Sequence, residues 1–162
     1  GLHFTPNLLR QITDGGTEMA SVTLHVGLGT FRPVSSETLD EHQMHTEWGQ
    51  ISEENAELVK DRRAAGGRCV AVGTTSVRVL ESAANDLGGD LRAWTATTDL
   101  FIRPPYTFQI VDALMTNFHL PKSTLLVLVS AFASRELMLE AYAKAIENEY
   151  RFFSYGDAML IV

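Results

Sequence analysis

Residues 68–82 read Arg68-Cys69-Val70-Ala71-Val72-Gly73-Thr74-Thr75-Ser76-Val77-Arg78-Val79-Leu80-Glu81-Ser82, and this stretch decides the fold class. Cys69 to Val72 is a short apolar run of the kind buried on both faces in parallel sheets. A glycine and three hydroxyl residues follow, and then a helical pattern begins. Strand, glycine-hydroxyl loop, helix is the place where α/β proteins hold ligands, outside the carboxyl ends of their strands. Thr74, Thr75 and Ser76 are therefore candidate contacts. Arg78 and Glu81 fall one turn apart just inside the helix. They serve a ligand or form an i, i+3 salt bridge, and the spacing allows both.

A second stretch repeats the logic. Thr116-Asn117-Phe118-His119-Leu120-Pro121-Lys122-Ser123-Thr124-Leu125-Leu126 brings an amide, an imidazole, an ammonium and hydroxyls together within a few residues. Leu120-Pro121 stops the preceding extended segment, because the residue before proline is pushed out of the α region. Ser123 or Thr124 then caps a helix whose body is Leu125-Leu126-Val127-Leu128-Val129. Unpaired N–H groups and a positive dipole at such a helix mouth suit a carboxylate or phosphate. An ordinary capped core helix fits the same residues.

Working outward, Thr5-Pro6 caps and starts a short helix that ends at Gly15-Gly16, with Leu8, Leu9 and Ile12 as its apolar stripe. Met19 to Val26 reads as a β-branched strand. It runs into Gly27-Leu28-Gly29-Thr30-Phe31-Arg32-Pro33, where backbone can approach a ligand, although no third glycine completes a dinucleotide fingerprint. Ser35 to Glu41 suggests one or two helical turns. His42 and His45, three apart, would share one side of a helix and could ligate a metal, but no carboxylate stands at the usual spacing. Ser52 starts a helix that Gly66-Gly67 stops. Trp94 to Ile102 and Phe108 to Leu114 read as extended segments, Glu136 to Glu149 as an amphipathic helix, and the chain closes on a strand through Ile161. Strands alternating with helices over short connectors predict one α/β domain spanning 1–162, with a mostly parallel sheet.

The bulk composition excludes some classes. The chain has 162 residues, 45% of them hydrophobic and 20% charged, enough for one domain with a core. Its longest apolar run, Leu125 to Ala133, is too short to span a bilayer. Cys69 is the single cysteine, so no internal disulfide forms, and a reducing compartment is favoured. Twenty acidic against thirteen basic residues give a net charge of −7, which argues against a broad nucleic-acid-binding face while permitting a local basic patch.

With these stretches laid out, the chain resembles the S-adenosylmethionine:tRNA ribosyltransferase-isomerase family of queuosine biosynthesis. The matching segments are GLHFT (1–5), VTLHVGLGTFRPV (22–34), EHQMH (41–45), AVGTTSVRVLES (71–82), VDALMTNFHLPKSTLLVLVSAFA (111–133) and YRFFSYGDAMLI (150–161). They occur in family order over essentially the whole chain. The resemblance implies that the chain is the C-terminal portion of a longer parent, belonging to an α/β-barrel-like catalytic domain. An N-terminal portion with an inserted β-rich domain would be absent, in keeping with the abrupt start at Gly1.

The implied reaction, a transferase and isomerase step of tRNA modification, moves the ribosyl moiety of S-adenosylmethionine onto 7-aminomethyl-7-deazaguanine at the tRNA wobble position. It gives epoxyqueuosine with release of adenine and methionine. S-adenosylmethionine is then a consumed co-substrate, with no further cofactor and no metal. The implied partners are S-adenosylmethionine, the tRNA bearing the aminomethyl-deazaguanine and the missing N-terminal half. The implied location is cytoplasmic with no membrane, and the chain is expected to be inactive alone.

That chemistry needs proton transfer beside the sulfonium and at the departing adenine, and contacts for sugar hydroxyls. His3, His25, His45 and His119 are the candidate imidazoles, with Glu47 and Asp99 as carboxylate alternatives. Gly27, Gly29, Thr30, Thr74, Thr75 and Ser76 suit ribose and main-chain contacts. Arg32, Arg78, Asn117, Lys122 and Ser123 suit charged or polar groups. Two other readings compete: a metal hydrolase built on His42, His45 and His119, and a non-catalytic nucleotide-binding fragment.

Overall fold

The computed structural model describes residues 3–27 and 33–162, which form a mixed α/β fold of two three-stranded sheets and five helices. Helix α1 (Pro6–Asp14) starts as its sequence requires: the Thr5 hydroxyl accepts from Leu8 N–H at 3.2 Å and Pro6 takes a position that needs no donor. The first sheet holds β1 (Val22–His25), β2 (Glu47–Ile51) and β4 (Trp94–Thr98) in the order β1-β2-β4. Both pairings are antiparallel. The second holds β3 (Val70–Val72), β5 (Ala113–Asn117) and β6 (Ala158–Ile161) in the order β3-β5-β6. There β3 and β5 run parallel and β6 antiparallel.

The expectation of a mostly parallel sheet is corrected: one pairing of four is parallel. All four connections between paired strands are long enough to return a strand parallel, and only the one from β3 to β5, through α3 and β4, does so. Nor is β3 buried on both faces. Ala71 is buried, but Val70 is 49% and Val72 38% exposed, because β3 is an outer strand of its sheet among the described residues. The helical turns expected over Ser35 to Glu41 are bends without helix. The strand expected over Phe108 to Leu114 lies further on, so β5 carries Thr116 and Asn117 itself.

Helix α2 (Glu53–Ala64) is capped by Ser52 and has two acids in its first turn and two arginines in its last, which complements the helix dipole. Helix α3 (Thr74–Asp86) is the axis of the core. From Val77 to Ala84 every residue is buried, and α3 packs on strands of both sheets. Helices α4 (Thr124–Ala133) and α5 (Arg135–Glu147) pack together, with Leu128, Val129 and Met138 in the core. Glu81, fully buried on α3, accepts from the backbone N–H groups of Gln109, Ile110 and Val111 (2.9–3.0 Å) and from the Tyr106 hydroxyl (3.2 Å). One carboxylate thereby fixes the loop that leads into β5.

Candidate functional site

The carboxyl ends of the parallel strands define the site. Gly73 follows β3 and adopts φ +86, a left-handed conformation that side chains resist. Its N–H donates to the Met115 carbonyl of β5 at 2.8 Å, so the turn is locked to the neighbouring strand. Helix α3 starts there with no side-chain cap, and its first N–H groups are available to a ligand's oxygens. Thr74 is buried and Thr75 half-buried beside them. The Ser76 hydroxyl is occupied, donating to Val72 O at 2.9 Å.

One strand over, β5 delivers Thr116 and Asn117. Asn117 Nδ2 lies 3.2 Å from Gly156 O, 3.4 Å from Asp157 O and 3.0 Å from His3 Nε2. Carbonyl oxygens only accept, so the amide nitrogen must face them. His3 Nε2 therefore accepts, and the ring proton sits on Nδ1, an assignment from the network. The terminal segment, the β5 strand end and the turn before β6 meet at this amide. His119 is buried, with Nε2 at 3.1 Å from Thr116 Oγ1 and its backbone N–H donating to the Tyr142 hydroxyl at 2.7 Å. Burial pushes its imidazole down to about 4, so it is neutral at physiological pH. Ser123 Oγ caps α4, accepting from Leu126 N–H at 3.1 Å, while Lys122 is exposed on the preceding turn at φ +56.

The first sheet joins this region through α3. Arg78, 3% exposed, ion-pairs with Glu47, 2% exposed, at the start of β2. The other Glu47 oxygen accepts from Gly27 N–H at 2.9 Å, and Arg78 Nη2 reaches Thr98 O at 3.5 Å. Thr98 Oγ1 is shared between Ser82 Oγ (2.6 Å) and Leu100 N–H (3.1 Å). The glycine loop that begins at Gly27 is thus tied to the second turn of α3. Its far side is tied to the mouth of α4, where Val34 N–H donates to Lys122 O at 2.7 Å. Gly29, Thr30 and Arg32 lie outside the described residues.

Some sequence candidates are brought together: His3 with Asn117 at the end of β5, Thr74 and Thr75 after the neighbouring end of β3, and Gly27 with Glu47 and Arg78; Lys122 and Ser123 lie on the turn before α4. Arg78 and Glu81 do not pair with each other, which corrects the salt-bridge reading. They point to different partners because both lie on a helix packed between two sheets. His25 is exposed at the end of β1 with its ring 4.6 Å from Trp48, and Asp99 and His45 are exposed. His42 rests edge-on against Phe101 at 5.3 Å. No group of three metal-type ligands occurs among the described residues, so His42, His45 and His119 are not gathered as a hydrolase would need. Sequence reasoning missed Thr98, Tyr142, Gly156 and Asp157. For Gly156 a signal existed: it sits in the Ser154-Tyr155-Gly156-Asp157 turn, and an added Cβ would collide with the Arg151 carbonyl.

Comparison with known proteins places the whole chain in one family. A family model described as "Queuosine biosynthesis protein" matches residues 1–161. A crystal structure of an S-adenosylmethionine tRNA ribosyltransferase from Thermotoga maritima is 46% identical, with a TM-score of 0.84 over 100% of this chain. The match covers 51% of that protein, so the chain spans about half its length. Among the described residues, no helix is long and apolar enough to cross a membrane. On the family match and this identity, the chain belongs to the queuosine biosynthesis protein family.

Proposed function

We propose that this chain carries part of the active site of an enzyme that transfers the ribosyl moiety of S-adenosylmethionine to 7-aminomethyl-7-deazaguanine at the tRNA wobble position and isomerises it, releasing adenine and methionine. The observation that carries the reading is the meeting of His3, Asn117 and the uncapped start of α3 at the carboxyl ends of β3 and β5. This is where an α/β fold binds small molecules. The 46% identity to a tRNA ribosyltransferase supports the substrate class.

Within that reading the residues divide by environment. The uncapped N–H groups of Thr74 and Thr75, with Thr75 Oγ1, suit ribose hydroxyls or the methionine carboxylate, and Lys122 is an exposed cation suited to the same carboxylate. His3, bonded through Nε2, presents an Nδ1–H donor suited to assisting adenine departure. The solvent-reachable groups left to accept the proton beside the sulfonium are His25, His45 and Asp99. Buried Glu47 and Arg78 neutralise each other and hold Gly27, a positioning role. Neutral, buried His119 serves the strand end through Thr116.

The test is adenine release from S-adenosylmethionine with tRNA carrying the aminomethyl-deazaguanine. The chain is run alone and with a separately expressed segment supplying the rest of the family's length. Release that needs both the modified base and the added segment is expected. Absence of release in every arm, with a family-length relative active under the same conditions, would sink the proposal.

A further inference from the structure

The turn between α5 and β6 is an unusually well-fixed loop that displays an aromatic ring. Arg151 donates from its backbone N–H (2.8 Å), Nε (3.3 Å) and Nη2 (2.7 Å) to the Asp157 carboxylate, and Asp157 N–H returns a bond to Arg151 O at 2.8 Å. Gly156 N–H donates to Phe153 O (3.1 Å), and Phe153 N–H to Phe118 O (2.9 Å). Gly156 is closed against Arg151 and Phe152 so tightly that no Cβ fits. Two non-glycine residues, Glu149 and Phe153, sit at positive φ (57 and 70) to complete the course. Such conformations persist only where the surroundings over-determine them. At the tip of this frame Tyr155 is 86% exposed, and Tyr150 at its base is half-exposed with its edge toward Phe118.

We infer that this loop is a stacking platform for an unpaired nucleobase, with Tyr155 as its face. The inference rests on the tRNA reading above. A planar ring held outward on a rigid loop keeps stacking energy that ordering would otherwise consume, and sequence-tolerant stacking on aromatic rings is how proteins grip single-stranded RNA. The loop also touches the candidate site: Gly156 O and Asp157 O accept from Asn117 Nδ2, so Tyr155 is the residue next to a carbonyl that holds the amide bonded to His3. Arg151, whose side chain is 73% exposed, is the nearby cation, and its charge is matched by the Asp157 carboxylate it binds. Stacking therefore carries the contact, and its salt dependence is shallow.

The experiment measures binding of this whole chain to a labelled anticodon-type hairpin RNA and to a fully paired duplex by fluorescence anisotropy. Tyr155→Ala, Tyr155→Leu and Tyr155→Trp are compared after circular dichroism shows each to be folded. Loss of a stacked base predicts about 5- to 100-fold weaker hairpin binding for Tyr155→Ala and Tyr155→Leu, near-parent binding for Tyr155→Trp, and unchanged duplex binding. Hairpin affinity unmoved by alanine, retained by leucine, or undetectable in the parent chain overturns the platform. Adenine release is scored separately. Intact hairpin discrimination without release counts against the ribosyl-transfer reading, and release without any Tyr155 effect counts against the platform alone.

Discussion

Replacing Arg78 with methionine tests the link between the two sheets. Arg78 and Glu47 are both nearly inaccessible, and Glu47 also accepts from Gly27 N–H. Removing one partner of a buried pair leaves an uncompensated charge, at a cost of about 3–5 kcal/mol. A protein of this kind has about 5–15 kcal/mol of stability in total, so the loss is a large share. The double variant Glu47→Gln/Arg78→Met removes both charges, and the amide oxygen still accepts from Gly27. Its cost should fall short of the summed single variants by about 2 kcal/mol. Urea unfolding followed by Trp48 and Trp94 fluorescence reads all four corners of the cycle. A loss below about 1 kcal/mol for Arg78→Met, or strict additivity in the double variant, would refute the claim that this pair is a buried, coupled unit.

Three further outcomes follow from named contacts. His119 has an imidazole pushed down to about 4 by burial, against an ordinary 6.5. Its contribution is fully present above pH 6.5 and is lost as pH falls toward 4, because the unfolded chain then binds the proton first. The loss is at most about 3 kcal/mol, and His119→Gln should flatten that part of the stability–pH curve. Glu81→Ala strands the buried N–H groups of Ile110 and Val111 and the part-buried one of Gln109, at a cost of about 3 kcal/mol or more, with hydrogen exchange at those three amides accelerating first. Cys69 is pushed up to about 11 by burial, reinforced by the nearby Asp112 charge, so it should react with a disulfide reagent at pH 8 about a hundredfold more slowly than an open thiol. Reaction at the open-thiol rate would show that the burial is wrong.

Local signals were legible in the sequence, and long-range ones were not. Thr5, Ser52 and Ser123 announced their helices because a cap acts within three residues of itself. The glycine-hydroxyl turn after β3 announced the strand–helix junction for the same local reason. Strand direction was misjudged because alternation of helices and strands says nothing about which edges meet, and Glu47–Ile51 joins strands far away in sequence on both sides. Gly49 and Gln50 also lack the β-branched signature, which hid β2. The site was half visible. Asn117, His119, Thr74 and Thr75 stand in polar runs beside apolar segments, whereas the Arg78–Glu47 pair spans 31 positions and no spacing rule connects them. Asp157 escaped notice because its role, closing a loop with Arg151, depends on backbone geometry.

The central claim is that S-adenosylmethionine gives up its ribosyl group and keeps its methyl group. It is tested most directly with two labelled forms of that molecule, one labelled in the ribose ring and one in the methyl group. Each is incubated with aminomethyl-deazaguanine tRNA and this chain joined by the rest of the family's length. The account predicts ribose label in the wobble nucleoside of the recovered tRNA and methyl label only in free methionine. Methyl label in the tRNA without ribose label would contradict it.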